Sequence, residues 1–443
     1  MKNYRWLKID TAAIMFSALS SESWGRTFRF SAYFKEDIDV SAVRQACEDL
    51  RPYYPSVYMY LKKGFFWNYL VASDKAPEIK ELDGEGMRPI VLRHDGRPDF
   101  RITYKGKRLS IECSHSLGDG KGIIIFFKAL LSRYNQLVSG DKSEYVTHEK
   151  PEDNIRNAFA DYYDRHGEKL NDKNPEAFHF PEMYEHNYLN LLFAEMKVHE
   201  VKELAHKENM TVTEYLACVL ILGVIKSCEE PINKPVTIAV PVNLRRFFST
   251  MSLRNFTVQS YITFHPHNRQ DITLKEILDA TRGQLRSQLT TEHLIKSVNK
   301  FGSLVNNPVL RIVPNAIKLP VMRKMSKKSH SEVTTIFTNY GACELNDELS
   351  ANIEKLQFVN GDTRMYGLAV TCSCIGYKDV LSLCFSRANK DTCWYDACTE
   401  ILRNEGLNIE VTHIEGKAKD KKYSTEGFKE KLSAEAIRAY FNI

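Results

Sequence analysis

The stretch Arg108–Phe127, RLSIECSHSLGDGKGIIIFF, constrains the fold more than any other part of the chain. Its first half alternates, with Leu109, Ile111 and Cys113 on one side and Ser110, Glu112 and Ser114 on the other, the period of a strand. Its second half, continued as GKGIIIFFKALLSRYNQL, is a helix. Between them stands Gly118-Asp119-Gly120. Glycines there admit dihedrals that other residues resist, and Asp119 occupies the place of a helix cap. With a period of two, His115 prolongs the apolar row and points inward at the strand's end, where a cleft can open. Two readings stand at this point: His115 does chemistry, or it closes a strand. HSLGD lacks the i, i+4 histidine pair of a metalloprotease helix, and GDGKGI lacks the spacing of a phosphate loop.

Strand and helix patterns alternate through the rest of the chain, which points to an α/β fold. DVSAVRQACEDLRPYYP reads as a helix capped by Ser41 and ended by Pro52 or Pro55. DFRITYKGKRLSIECSHS reads as two strands about a Lys-Gly-Lys turn. The region from Val138 to about Asp172 is polar and reads as a long crossover rather than a core element. TVTEYLACVLILGVI predicts a buried helix that starts near Thr211 or Thr213, with Glu214 in its first turn. KPVTIAVPVNL, EVTTIFTNYG and VLSLCFSR follow as strands. The last residues, GKAKDKKYSTEGFKEKLSAEAIRAYFNI, read as a lysine-rich linker and a short amphipathic helix that packs within the chain.

At 443 residues and 43% hydrophobic, the chain is large enough for two domains or one bilobed unit. A net charge of +5 demands no nucleic-acid partner and leaves room for an anionic ligand. The longest apolar run, Ala217–Ile225, is too short to span a bilayer. Asp10 breaks the apolar N-terminal patch, so that patch is read as mature protein, and the expected location is the cytoplasm. The ten cysteines are expected to be reduced. Cys372 and Cys374 read as half-buried strand residues and Cys393 and Cys398 as helix residues, rather than as zinc hooks.

SHSLGDG resembles the HxxxDG motif of the coenzyme A-dependent acyltransferase superfamily. That superfamily includes chloramphenicol acetyltransferase, alcohol O-acetyltransferases, wax-ester synthases and the condensation domains of nonribosomal peptide synthetases. The setting is similar too: strand, motif and apolar helix near the end of the first of two halves. TVTEYLACVLILGVI resembles the buried helix of the second half, IAVPVNLRRFF the strand ending in arginine, and TTIFTNYG the later strand ending in Asn-x-Gly. The similarity runs roughly from Lys8 to Arg387. Ser114 stands where many relatives carry a first histidine, and Arg254-Asn255 stands where Gly-Asn is frequent. The Asp-Phe-Gly-Trp-Gly signature of the plant branch is absent.

The resemblance implies an α/β protein of two chloramphenicol acetyltransferase-like subdomains, with mixed sheets, flanking helices and an active-site tunnel between them. The halves would be 1–175, carrying the motif, and 176–443. His115 would be the general base. Asp119 would pair with Arg245, or alternatively Arg246, and hold the turn. Gly120 would let the backbone pass close to the pantetheine tunnel, and Asn339 and Gly341 would lie near the substrate pocket. Acyl-coenzyme A would be a co-substrate, with no cofactor bound permanently and no metal. The acceptor would be a small hydroxyl or amine compound and the protein a monomer. Arg323, Lys324, Lys327 and Lys328 form a candidate surface for the coenzyme's phosphates. An acyl carrier protein as donor, or a catalytically silent scaffold of the same fold, are the alternatives.

Overall fold

The computed structural model describes residues 4–20, 25–82, 87, 90–91, 95–140, 150–171, 174–180, 189–361, 368, 370–387 and 392–414. The expected C-terminal linker and helix lie outside them.

Two mixed sheets organise the molecule. A five-stranded sheet runs in the order Ile353–Val359, Thr27–Phe34, Arg108–Ser114, Phe100–Lys105, Glu78–Glu81. Only the last pair is parallel. Its first strand comes from the second half of the chain. A seven-stranded sheet runs Thr257–Phe264, Val236–Asn243, Thr335–Ala342, Val370–Tyr377, Val380–Arg387, Asn190–Lys197, Glu410–Ile414. Thr335–Ala342 is parallel to both of its neighbours there. A three-stranded sheet, Trp6–Lys8, Tyr69–Ala72 and Met59–Lys62, lies beside them.

Helices Val40–Leu50 and Gly120–Val138 cover one face of the five-stranded sheet, burying Phe28, Phe30, Ile111, Phe126 and Leu130. The cap of the first helix is Asp39, not Ser41. Its carboxylate accepts from Ser41 N and Ala42 N at 2.8 and 3.2 Å, so the serine lies inside the helix. The sheet's other face is buried as well, against the seven-stranded sheet. There Glu112 is fully buried and receives Arg29 Nε at 2.8 Å and Arg101. Burial alone would raise its pKa; the Arg101 and Arg29 guanidinium groups overcome this and hold it at about 2. A row of Ser, Glu and Ser thus becomes an interior polar layer. Across it, Glu195 accepts from Lys355 and Gln357 at 3.0 and 2.9 Å.

The helix Val212–Lys226 starts with a capping box, Thr211 Oγ1 accepting from Glu214 N and Glu214 from Thr211 N. It is buried all round between the seven-stranded sheet and the helix Cys393–Asn404. Two departures from expectation matter. The polar crossover contributes to the core: Phe159 in the short helix Ala158–Tyr162 is fully buried and packs on Phe256 at 5.2 Å. A run that brief shows no period to read. Cys372 and Cys374 are fully buried rather than half-buried, because the sheet face they share packs into the same cluster as the buried helix Val212–Lys226. No single helix among the described residues is long and apolar enough to cross a membrane.

Candidate active site

His115 follows the last residue of the strand Arg108–Ser114, and its backbone N donates to Arg26 O at 2.9 Å. The imidazole is held between two rings, Phe16 and Phe28, each with its centroid 4.7 Å away. Nδ1 is sealed from solvent without a hydrogen bond. The residue as a whole is nonetheless partly exposed. The Asn255 side chain interacts with the ring and favours its charged form, although neither Nδ1 nor Asn255 Oδ1 completes a well-formed hydrogen bond. Burial, aided by the nearby Arg26 charge, outweighs this and lowers the pKa well below the usual imidazole value. His115 is therefore neutral near pH 7.

The turn after it is fixed by one carboxylate. Asp119 Oδ1 caps the helix Gly120–Val138, accepting from Gly122 N at 2.9 Å. Its Oδ2 accepts from Arg245 Nη1 at 2.8 Å and from Phe256 N at 2.8 Å. Arg245 spends its other donors on Ser252 O (2.9 Å), Asn243 Oδ1 (3.2 Å) and Arg254 O. Both partners are at most 9% exposed. Arg246, by contrast, is exposed and takes no part.

The segment Ser252–Phe256 ties this turn to the N-terminus. Asn255 Nδ2 donates to His115 O at 3.0 Å and to Asp10 Oδ2 at 3.1 Å. Asp10 is completely buried, caps the helix Thr11–Leu19 through Ala13 N, and lies 3.6 Å from Arg254 Nε. That helix carries Phe16 to the imidazole. Sequence reasoning missed Asp10 and the Asn255 contacts. The only signals were an aspartate inside an apolar run and the Arg-Asn pair after the arginine strand.

Within the protein, the closest backbone approach around the motif falls at Gly118 and Gly122. A Cβ on Gly120 would meet nothing nearer than Phe30 at 3.6 Å. On Gly122 it would lie 1.8 Å from Leu253 O, and on Gly118 2.5 Å from the same atom. Gly122→Ala is therefore expected to destabilise the protein by roughly 3 kcal/mol, the upper part of the overpacking range, because the obstruction is backbone. Gly120→Ala, in the first turn of a helix, should stay within about 1 kcal/mol of wild type. Urea unfolding of the two variants checks this; equal losses would contradict it.

Asn339 does not reach the motif. Its Nδ2 donates to Thr213 Oγ1 at 2.9 Å and its Oδ1 accepts from Gly341 N at 2.8 Å. Gly341 has φ 84°, a left-handed value that favours glycine. The residue between them turns the other way: Tyr340 packs on Phe30 at 5.6 Å, and its hydroxyl accepts from Lys121 Nζ at 3.4 Å. Among the described residues no group of three or more His, Cys, Asp or Glu is placed to hold a metal ion.

No protein-family model and no curated protein matches this sequence. Solved structures do match. F. graminearum TRI101, complexed with coenzyme A and deoxynivalenol, is 12% identical, with 90% of this chain and 97% of that one covered and a TM-score of 0.61. The trichothecene 15-O-acetyltransferase TRI3 of Fusarium sporotrichioides is 10% identical over 91% and 97%, with a TM-score of 0.59. The epimerization domain from the third module of tyrocidine synthetase B is 13% identical over 90% and 95%, with a TM-score of 0.55. At these identities the likeness establishes the fold, an α/β arrangement of mixed sheets and flanking helices, which is the one expected from the motif.

Proposed function

We propose that the chain is an acyltransferase that moves an acyl group from a coenzyme A thioester to an alcohol or amine. The observation that carries this is the neutral imidazole of the partly exposed His115. Its Nδ1 is sealed without a partner, and it stands on a turn stitched to the second half of the chain by Asp119, Arg245 and Asn255. In this reading Nε2 takes the proton of the acceptor hydroxyl or amine as its heteroatom attacks the thioester carbonyl. The tetrahedral adduct collapses by breaking the carbon–sulfur bond, and the thiolate takes the proton back from the imidazolium. No acyl-enzyme forms. Burial and the Arg26 charge disfavour the imidazolium, so the proton is readily surrendered.

The halves 1–175 and 176–443, a substrate pocket near Asn339 and Gly341, a cytoplasmic location and a monomeric state belong to the same proposal. The TRI101 complex with coenzyme A supports this donor. An acylated carrier protein as donor is the second reading, in keeping with the likeness to a domain of tyrocidine synthetase B. Acetyl- or longer acyl-coenzyme A is expected to raise the melting temperature, since a ligand that binds only the native state stabilises it. A shift with an acylated carrier protein and none with any coenzyme A thioester would favour the second reading. No shift and no thioester cleavage with either donor would leave a silent scaffold.

A further inference from the structure

The helix Asn315–His330 buries one side and leaves the other bare. Asn315, Lys318, Met322 and Ser326 are buried, while Ile317, Val321 and Met325, at steps of four, are exposed. Ile312 just before it is 71% exposed and Ile317 is 63% exposed. The loop carrying Phe65 and Phe66 is stapled alongside: Asn315 N donates to Phe65 O at 2.7 Å, and Asn315 Nδ2 to Gly64 O at 2.7 Å. Lys318 donates to Phe66 O and lies over the Trp67 ring at 3.1 Å. With Val309, this helix, the segment before it and the loop stapled to it hold seven of the eleven large apolar side chains exposed among the described residues. Apolar exposure concentrated on neighbouring segments in this way marks an interaction surface.

Its charge is one-signed. From His293 to Ser331 the chain carries eight Lys or Arg and no Asp or Glu. Lys62, Lys63, Arg311, Lys324 and Lys328 are exposed beside the apolar stripe, and none is in an ion pair among the described residues. We propose that this face docks on an anionic lipid bilayer, the apolar stripe entering the headgroup boundary and the cations facing lipid phosphates. A basic rim around an apolar stripe complements such a surface. It does not complement residues 415–443, with seven Lys or Arg against five Asp or Glu, nor a second copy of its own sign. The face is one helix from His115. Arg323 Nε donates to Ala18 O at 2.9 Å on the helix Thr11–Leu19, whose Phe16 packs on the imidazole. Given the acyl-transfer reading, a lipid-borne alcohol is the acceptor this position suits.

The test is co-sedimentation of the full chain with vesicles of phosphatidylcholine alone or mixed with phosphatidylglycerol, which needs no turnover and so is independent of the acyl-transfer reading. Wild type is expected to partition about tenfold or more in favour of the mixed vesicles, less so in about 0.5 M salt. Val321→Glu/Met325→Glu and Lys324→Glu/Lys328→Glu, all at exposed positions, should each lose about tenfold or more with unchanged thermal unfolding. Indifference of wild type to phosphatidylglycerol, or wild-type binding by both variants, overturns the proposal. So does a solution dimer that Val321→Glu/Met325→Glu dissolves, which would assign the face to a second copy.

Discussion

His115→Ala is expected to lower thioester turnover by about two to four powers of ten, the usual contribution of a positioned base, with the fold retained. The ring makes no side-chain hydrogen bond of good geometry, so its removal orphans no partner. What is lost is packing between Phe16 and Phe28. Thermal unfolding and coenzyme release should be followed on one sample, since an unchanged rate would remove His115 from the mechanism. The pH profile supplies a second readout. A base works only when neutral, and burial with the Arg26 charge keeps this one neutral below the ordinary imidazole range. The acid limb of kcat/KM should therefore lie below pH 6.5, the ordinary imidazole value, with no inflection there. Arg26→Gln removes one of the two causes and should move that limb upward. The backbone carbonyl that holds His115 N remains in place. A limb that stays put in Arg26→Gln would mean that burial alone sets the titration.

Much of the site's frame was legible locally. Strand, turn and helix around Arg108–Val138 follow from a period of two, a Gly-Asp-Gly and a run of apolar residues. The capping box at Thr211 and Glu214 follows from spacing three apart. What escaped was set by approach from a distance. A Cβ at Gly122 would run into the backbone of Leu253, and nothing in GDGKG marks that glycine out. Asp10 looks like a flaw in an apolar stretch until Asn255, 245 positions away, donates to it. Asn339 and Tyr340 share a strand end, and alternation decides which reaches the motif helix. Asn339 turns to Thr213 and Tyr340 to Lys121, a choice set by the two surfaces the strand end meets. Glu112 alternates as a solvent-facing residue would, but a second sheet covers that face. In each case the missing information was the partner surface.

Asp119→Ala and Arg245→Ala are each expected to destabilise the protein by about 3–5 kcal/mol, because each strands a buried charge. The positions are 126 apart, so the contact exists only when the halves meet. The two losses differ in kind. Asp119→Ala also uncaps the helix Gly120–Val138 and orphans Gly122 N and Phe256 N. Arg245→Ala leaves Ser252 O and Arg254 O without their donor, freeing the segment whose Asn255 grips the carbonyl of His115. Both should reduce turnover with His115 still in place, and the arginine variant should do so through loss of that grip. The double variant should be less harmed than the sum of the singles, by a coupling of about 1–3 kcal/mol, since neither charge is then left alone. Asp119→Asn separates cap from charge. It retains an oxygen for Gly122 N but no negative charge for Arg245, so it should recover the cap's share of about 1 kcal/mol and little else. Urea unfolding of the four proteins of the cycle gives the coupling directly. Additivity within about 0.5 kcal/mol would show that the 2.8 Å contact carries no coupling, leaving Asp119 as a cap alone. The motif turn would then owe its position to Phe256 N and to the Leu253 backbone pressed against Gly118 and Gly122.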